Sequence, residues 1–236
     1  MDFQLSKAQQ LQRDLFRRFA EKEIRPIARE MDETETYSMD LLEKMQKLGF
    51  LGIPYSTKYG GGGADTLTYT LCMEEVSKVD ASTGITISVH TSLCCGCIND
   101  FGTEEQKEKF LRPLVSGQKV GCFSLTEPNA GSDASGLQTT AVLDGDSYVI
   151  NGSKVFTTNS GFADIFVVFA VTDKAMGSDG ISAFIVERDT PGLSVSANIP
   201  RMGIRAASNC EVAYENVRVP VANRLRGEGK GYEIAM

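Results

Sequence analysis

The chain has 236 residues, 42% of them hydrophobic and 23% charged, a balance that suits a folded globular protein and excludes an intrinsically disordered one. Its 24 Lys and Arg against 31 Asp and Glu give a net charge of −7, which disfavours nucleic acid or an anionic membrane as the main partner, since both select basic faces. The length is enough for two compact domains or one large one.

The first half carries helical periodicity. Ser6 followed by Gln9 has the form of a capping box, after which Leu11, Leu15, Phe16, Phe19, Ile24 and Ile27 recur at spacings of mostly three and four. Pro26 is expected to kink or divide that helix. Ser38 can cap a second helix, with apolar positions Leu41, Leu42, Met45 and Leu48, that ends at Gly49. A third is expected from about Asp65 to Val79. A fourth, from about Ser82 to Phe101, is apolar nearly all round and should lie in the middle of the helical layer. Thr103 with Gln106 is a second capping box, opening a short helix that Pro113 and Gly117 close.

From Gln118 the period changes to two. Strands are expected over 119–125, 138–144, 147–150, 153–158, 164–171, 181–187, 194–199 and 211–219, and Asp144-Gly145-Asp146 is a hairpin signal. Many short strands without intervening helices predict an antiparallel sheet. The fold class is therefore α+β and multi-domain: an N-terminal all-α domain over 1–117, then an antiparallel β barrel or sandwich over 118–222. Residues 223–236 start another helical pattern, Gly231 to Met236, that stops short of a full set of turns.

Several segments could carry chemistry. Phe123 to Gly136 reads as a strand breaking into a loop of small polar residues, in which Gly131 permits close approach of a ligand and Thr126, Ser132 and Ser135 bring hydroxyls. By chemistry alone this is either a ligand site or a surface turn. Cys94-Cys95-Gly96-Cys97 contains a Cys-x-x-Cys spacing, but there is no second such pair and His90 is the only histidine, so small buried helix residues are expected rather than a metal site. With no basic-then-apolar signal segment at the N-terminus, the six cysteines read as free thiols and the protein as soluble and cytoplasmic. The longest apolar run, Ile165 to Val171, is too short to span a bilayer. His90 is read as a core or pocket-side residue rather than a general base, and Asp133 as the cap of a turn. The glycine tract Lys58 to Gly63 lacks the arrangement of a phosphate-binding loop and is read as a plain loop.

Thr126-Glu127-Pro128-Asn129-Ala130-Gly131-Ser132-Asp133, together with Asn151-Gly152-Ser153-Lys154-Val155-Phe156-Thr157-Thr158-Asn159, resembles motifs of the acyl-CoA dehydrogenase family, in the same order. Tyr59 to Gly63, Phe101 to Lys107 and Glu215 to Pro220 extend the resemblance along the whole chain. It implies FAD as cofactor, with Phe123, Leu125, Thr126, Phe156 and Thr158 against the flavin ring and Gly131 and Ser132 at the pyrophosphate or acyl-CoA side, Ser132 also contacting substrate. Phe156 stands where many members have Trp, and this chain has no Trp, so a ring face is kept without an indole N–H. The implied reaction is α,β-dehydrogenation of an acyl-CoA thioester, short-chain by resemblance, with electrons passing to an electron-transfer flavoprotein in a homo-oligomer. In most members the catalytic carboxylate comes from a third, helical domain. No catalytic residue or metal ligand is therefore assigned here, and the chain reads as a fragment. The alternatives are an acyl-CoA oxidase using dioxygen and a non-catalytic interaction module of the same fold.

Overall fold

The computed structural model describes residues 4–236, which form a helical layer followed by a sheet of eight strands. The Ser6 and Gln9 side chains close the capping box that opens α1 (Lys7–Phe19). A π-helical turn, Ala20–Ile24, joins α1 to α2 (Arg25–Thr34), and Pro26 sits in the first turn after it. Ser38 caps α3 (Met39–Lys47), and Asp65 caps α4 (Thr66–Ser77). The fourth helix starts one residue earlier than expected: the cap is Asp80, whose carboxylate accepts from the amides of Ser82 and Thr83. It runs as α5 (Ala81–Ser88), a π turn Val89–Cys95, and α6 (Gly96–Phe101). The whole rod is long and apolar enough to cross a membrane, yet most of it is buried between the other helices and the sheet. The Thr103 capping box opens α7 (Glu104–Gln106), which passes through a third π turn into α8 (Arg112–Val115).

The strands are β1 (Gly121–Ser124), β2 (Thr140–Asp144), β3 (Ser147–Thr158), β4 (Ile165–Val171), β5 (Ile181–Glu187), β6 (Leu193–Asn198), β7 (Asn209–Pro220) and β8 (Arg224–Leu225), followed by a short helix α9 (Gly231–Ala235). The order β6-β7-β3-β2-β4-β5-β8 is antiparallel except where β2 meets β4, and β1 also lies parallel to β4. The expected wholly antiparallel sheet is thus a mixed one, because β1 arrives from the helices beside β4 and a loop, not a hairpin, carries the chain on to β2. The two strands expected at 147–150 and 153–158 are one strand, kept continuous across Asn151-Gly152 by a bulge. Gly145, with φ of 66°, makes the tight β2–β3 turn.

Alternation along β4 and β5 serves two cores. Ile165, Val167, Phe169, Ala183 and Ile185 face the helices, packing with Cys94, Ile98, Phe110 and Leu114. Phe166, Val168, Ala170, Phe184 and Val186 face inward, against Tyr148 and Ile150 of β3 and Val212 and Tyr214 of β7. The Tyr148 and Phe184 rings lie 4.9 Å apart although β2 and β4 separate their strands, so the sheet curls upon itself. That curl leaves the β1 and β3 ends facing the π turn of the central helix.

Candidate functional site

Those three elements enclose a groove of about 260 Å³. Val89 and Leu93 come from the π turn, Phe123 from β1, Leu125 and Thr126 from the loop just beyond it, and Val155, Phe156 and Thr158 from the end of β3. Five of the residues singled out in the sequence, Phe123, Leu125, Thr126, Phe156 and Thr158, therefore share one cavity. Gly131 and Ser132 do not line it; they lie further along the same loop, exposed, and a Cβ on Gly131 would meet open space.

The β3 wall is built by a bulge. Lys154 pairs with Val212 and Thr157 with Cys210, so Val155 and Phe156 together oppose the single residue Glu211. Phe156 takes a left-handed backbone (φ 55°) and the residue is 58% exposed, on a strand whose neighbours Lys154, Val155 and Thr157 are buried. An aromatic residue in that region is a backbone outlier, and strain of this kind gathers at binding sites.

A buried ion pair ties the two motifs together. Lys154 Nζ donates to Glu127 Oε1 (2.7 Å) and to the carbonyl of Leu125 (3.0 Å), and the amide of Val155 donates to the carbonyl of Thr126 (2.8 Å). Glu127 also accepts from the amides of Gln138 and Thr139, so these two donors serve the chain's own carboxylate and not a ligand. Burial opposes both charges. For Glu127 the ammonium and the hydrogen-bond donors outweigh it and the pKa falls. Burial pushes Lys154 down, to about 8, against the pull of Glu127, which leaves the pair ionised at neutral pH.

The hydroxyls divide into used and free. Ser124 Oγ accepts from Tyr214 OH at 2.9 Å in the sheet interior, whereas Thr126 and Thr158, half-buried at the groove, hydrogen-bond through their side chains to no other described residue. No wall residue is ionisable, so the groove can hold a ligand but supplies no proton carrier of its own. An apolar, aromatic-edged slot with two unengaged hydroxyls suits a flat ring with a polar rim.

The remaining candidates have structural uses. Asp133 accepts from the amide of Ser135 and makes the expected turn. Gly62, Gly63 and Ala64 donate their amides to the carbonyls of Gly52, Tyr55 and Ile53, and a Cβ on Gly61 would lie 2.4 Å from the Tyr55 oxygen, so the glycine tract is a packed strap. All six cysteines are buried and unbridged, burial raises the thiols of Cys94, Cys95 and Cys122 well above the usual range, and among the described residues no cluster could hold a metal. His90 is fully buried, as expected of a core residue. Val89 and the Lys154–Glu127 pair were not singled out from the sequence; a lysine inside a run of β-forming residues was the available signal for the pair. Larger hollows of about 420 and 340 Å³ lie beside α1 and α3 and one of about 570 Å³ behind the central helix, and none of them contains any of the singled-out ring contacts.

Residues 6–118 match the N-terminal domain of acyl-CoA dehydrogenases, and residues 122–217 match their middle domain. A short-chain-specific acyl-CoA dehydrogenase of Clostridium acetobutylicum is 53% identical over 236 residues, which are all of this chain and 62% of that protein. The solved butyryl-CoA dehydrogenase of Megasphaera elsdenii superposes with a TM-score of 0.96 at 48% identity, covering 99% of this chain and 62% of its own. A chain in a structure described as the electron transferring flavoprotein of Acidaminococcus fermentans superposes with a TM-score of 0.98 at 49% identity, covering 100% and 62%. The chain thus spans about 62% of the length of these relatives.

Proposed function

Because the chain belongs to the acyl-CoA dehydrogenase family, we propose that the groove between the central helix, β1 and β3 is one wall of an FAD site, serving α,β-dehydrogenation of a short-chain acyl-CoA thioester by a protein of its relatives' length. The observation that carries this reading is the gathering of five ring-contact residues, from two motifs some thirty positions apart, in a single cavity. Its residues fit the cofactor: an apolar floor, an exposed aromatic residue held out by a strained bulge, and two hydroxyls that bond to no other described residue.

FAD bound there would supply the hydride acceptor that dehydrogenation of an acyl thioester needs. The chain's part is positional. Phe123, Leu125 and Val89 offer a dry face to the ring, Phe156 flanks it, and Thr126 and Thr158 can donate to its polar edge, where fixed dipoles stabilise developing negative charge. Gly131 and Ser132, with exposed backbone on the adjoining loop, are assigned to the pyrophosphate and acyl-CoA side. No residue here is given the role of base. The 1–117 and 118–222 domain division and the homo-oligomer belong to the same reading. So does an electron-transfer flavoprotein as acceptor, which the description of the Acidaminococcus structure favours.

Titration of FAD into the purified 236-residue chain, followed by flavin fluorescence, tests the proposal. Saturable quenching is expected, weakened about tenfold by Phe156→Ala, which removes one aromatic contact. Absence of saturable binding to the unaltered chain overturns it.

A further inference from the structure

Every residue lining the groove belongs to the central helix, to β1 and its loop, or to β3, and one hydrogen-bonded cluster touches all three. The amide of Gly121, first residue of β1, donates to His90 Nδ1 at 3.0 Å. The carbonyl of the same Gly121 accepts from Asn159 Nδ2 at 3.3 Å, and that nitrogen also donates to the carbonyl of Thr86, at 2.9 Å, one turn before His90. Asn159 follows Thr158 directly, and its backbone is left-handed (φ 71°). Both backbone groups of Gly121 are thus held by side chains from the other two walls, on the edge of β1 that no strand covers. Only glycine permits the approach: a Cβ at 121 would lie 2.3 Å from Cys94 Sγ and 2.8 Å from its Cβ.

We propose that His90 and Asn159 are positioning residues for the flavin site, fixing the width of the groove by clamping the start of β1 between the central helix and the end of β3. The inference rests on the FAD reading above. His90 does this as an acceptor. With Nδ1 taking the Gly121 proton, the ring's own proton is on Nε2, which faces Cys95 Sγ at 3.4 Å in the interior, out of reach of any bound substrate. The strand is held at two points two residues before Phe123, so a small shift at Gly121 opens the wall that carries Phe123 and Leu125.

Two substitutions separate an acceptor's work from mere filling of space. In His90→Asn the side-chain oxygen comes close to the place of Nδ1 and can take the same proton; His90→Phe keeps the bulk and leaves the Gly121 amide unpaired. The expected result is FAD binding close to that of the unaltered chain for the Asn variant. For the Phe variant, at unchanged far-ultraviolet circular dichroism, binding should be about tenfold weaker or worse, the penalty for an orphaned buried donor. Equal affinity of a folded Phe variant, or failure of Asn to restore what Phe loses, overturns the clamp while leaving the FAD site standing. If the Phe variant does not fold, amide exchange in the unaltered chain decides: slow exchange of the Gly121 N–H supports the clamp and fast exchange overturns it. An unaltered chain that binds no FAD overturns the functional reading first, and the clamp's purpose with it.

Discussion

Phe156 holds its ring over the groove at the expense of a backbone conformation that disfavours side chains by about 1–2 kcal/mol. Glycine has no such penalty, and the area lost is limited for a residue that is 58% exposed. Phe156→Gly is therefore expected to leave stability unchanged or raise it by about 1 kcal/mol in urea unfolding while weakening FAD binding, a separation that an ordinary core aromatic would not show. His90 makes a second prediction possible because it is the sole histidine. Burial drives its pKa down to about 4, against the carbonyls of Leu114 and Leu51 that favour its protonation, and the Cys95 thiol beside it stays neutral. An unfolded histidine titrates near 6.5, so the buried neutral ring contributes fully above that pH. As pH falls from about 6.5 to about 4 the unfolded state gains a proton that the fold refuses, and stability drops by about 3 kcal/mol, levelling below. Denaturant midpoints measured from pH 8 to 4 should show this step, and His90→Asn should remove it. Glu75, lowered to about 2 by hydrogen bonding to Arg17 and Arg13 against its burial, loses its contribution in a separate, more acidic window.

Among the elements, the strands show why local pattern falls short. The capping boxes at Ser6 and Thr103 and the cap at Ser38 could be read directly, since each is a contact between residues three apart. Whether 147–150 and 153–158 are two strands or one depends on β7, which pairs across Asn151-Gly152 and absorbs the irregularity. The Glu127–Lys154 pair likewise has no local signature, its partners being on a loop and a strand 27 positions apart. Removing the carboxylate strands an ammonium in a dry interior. Glu127→Ala is expected to lower unfolding free energy by about 3–5 kcal/mol in denaturant titration, and to release Leu125 and Thr126 from β3. A loss below about 1 kcal/mol would show that the pair does not hold the motifs together.

Across the whole molecule, the helical half and the sheet share a core. Ile165, Val167, Phe169, Ala183 and Ile185 are buried against helices, and Gln106 of α7 donates to the carbonyls of Ala222 and Arg224 at 2.7 and 2.9 Å. Residues 118–236 produced alone would expose that apolar face of β4 and β5. They are expected to bind a hydrophobic dye and to lack a cooperative thermal transition, whereas the full chain melts as one unit with respect to these strands. Five groove residues came from the resemblance of two contiguous strings to family motifs, and the order of helices then strands was legible in one dimension, because periodicity and capping are short-range. The parallel seating of β1 beside β4, the left-handed turn at Phe156 and the meeting of His90 with Gly121 were not, because each is imposed by a partner at least thirty positions away in the chain or by the bulge such pairing creates. The two motif strings name the groove residues only through their resemblance to the family; burial against distant neighbours decides which of their hydroxyls bond to no other described residue.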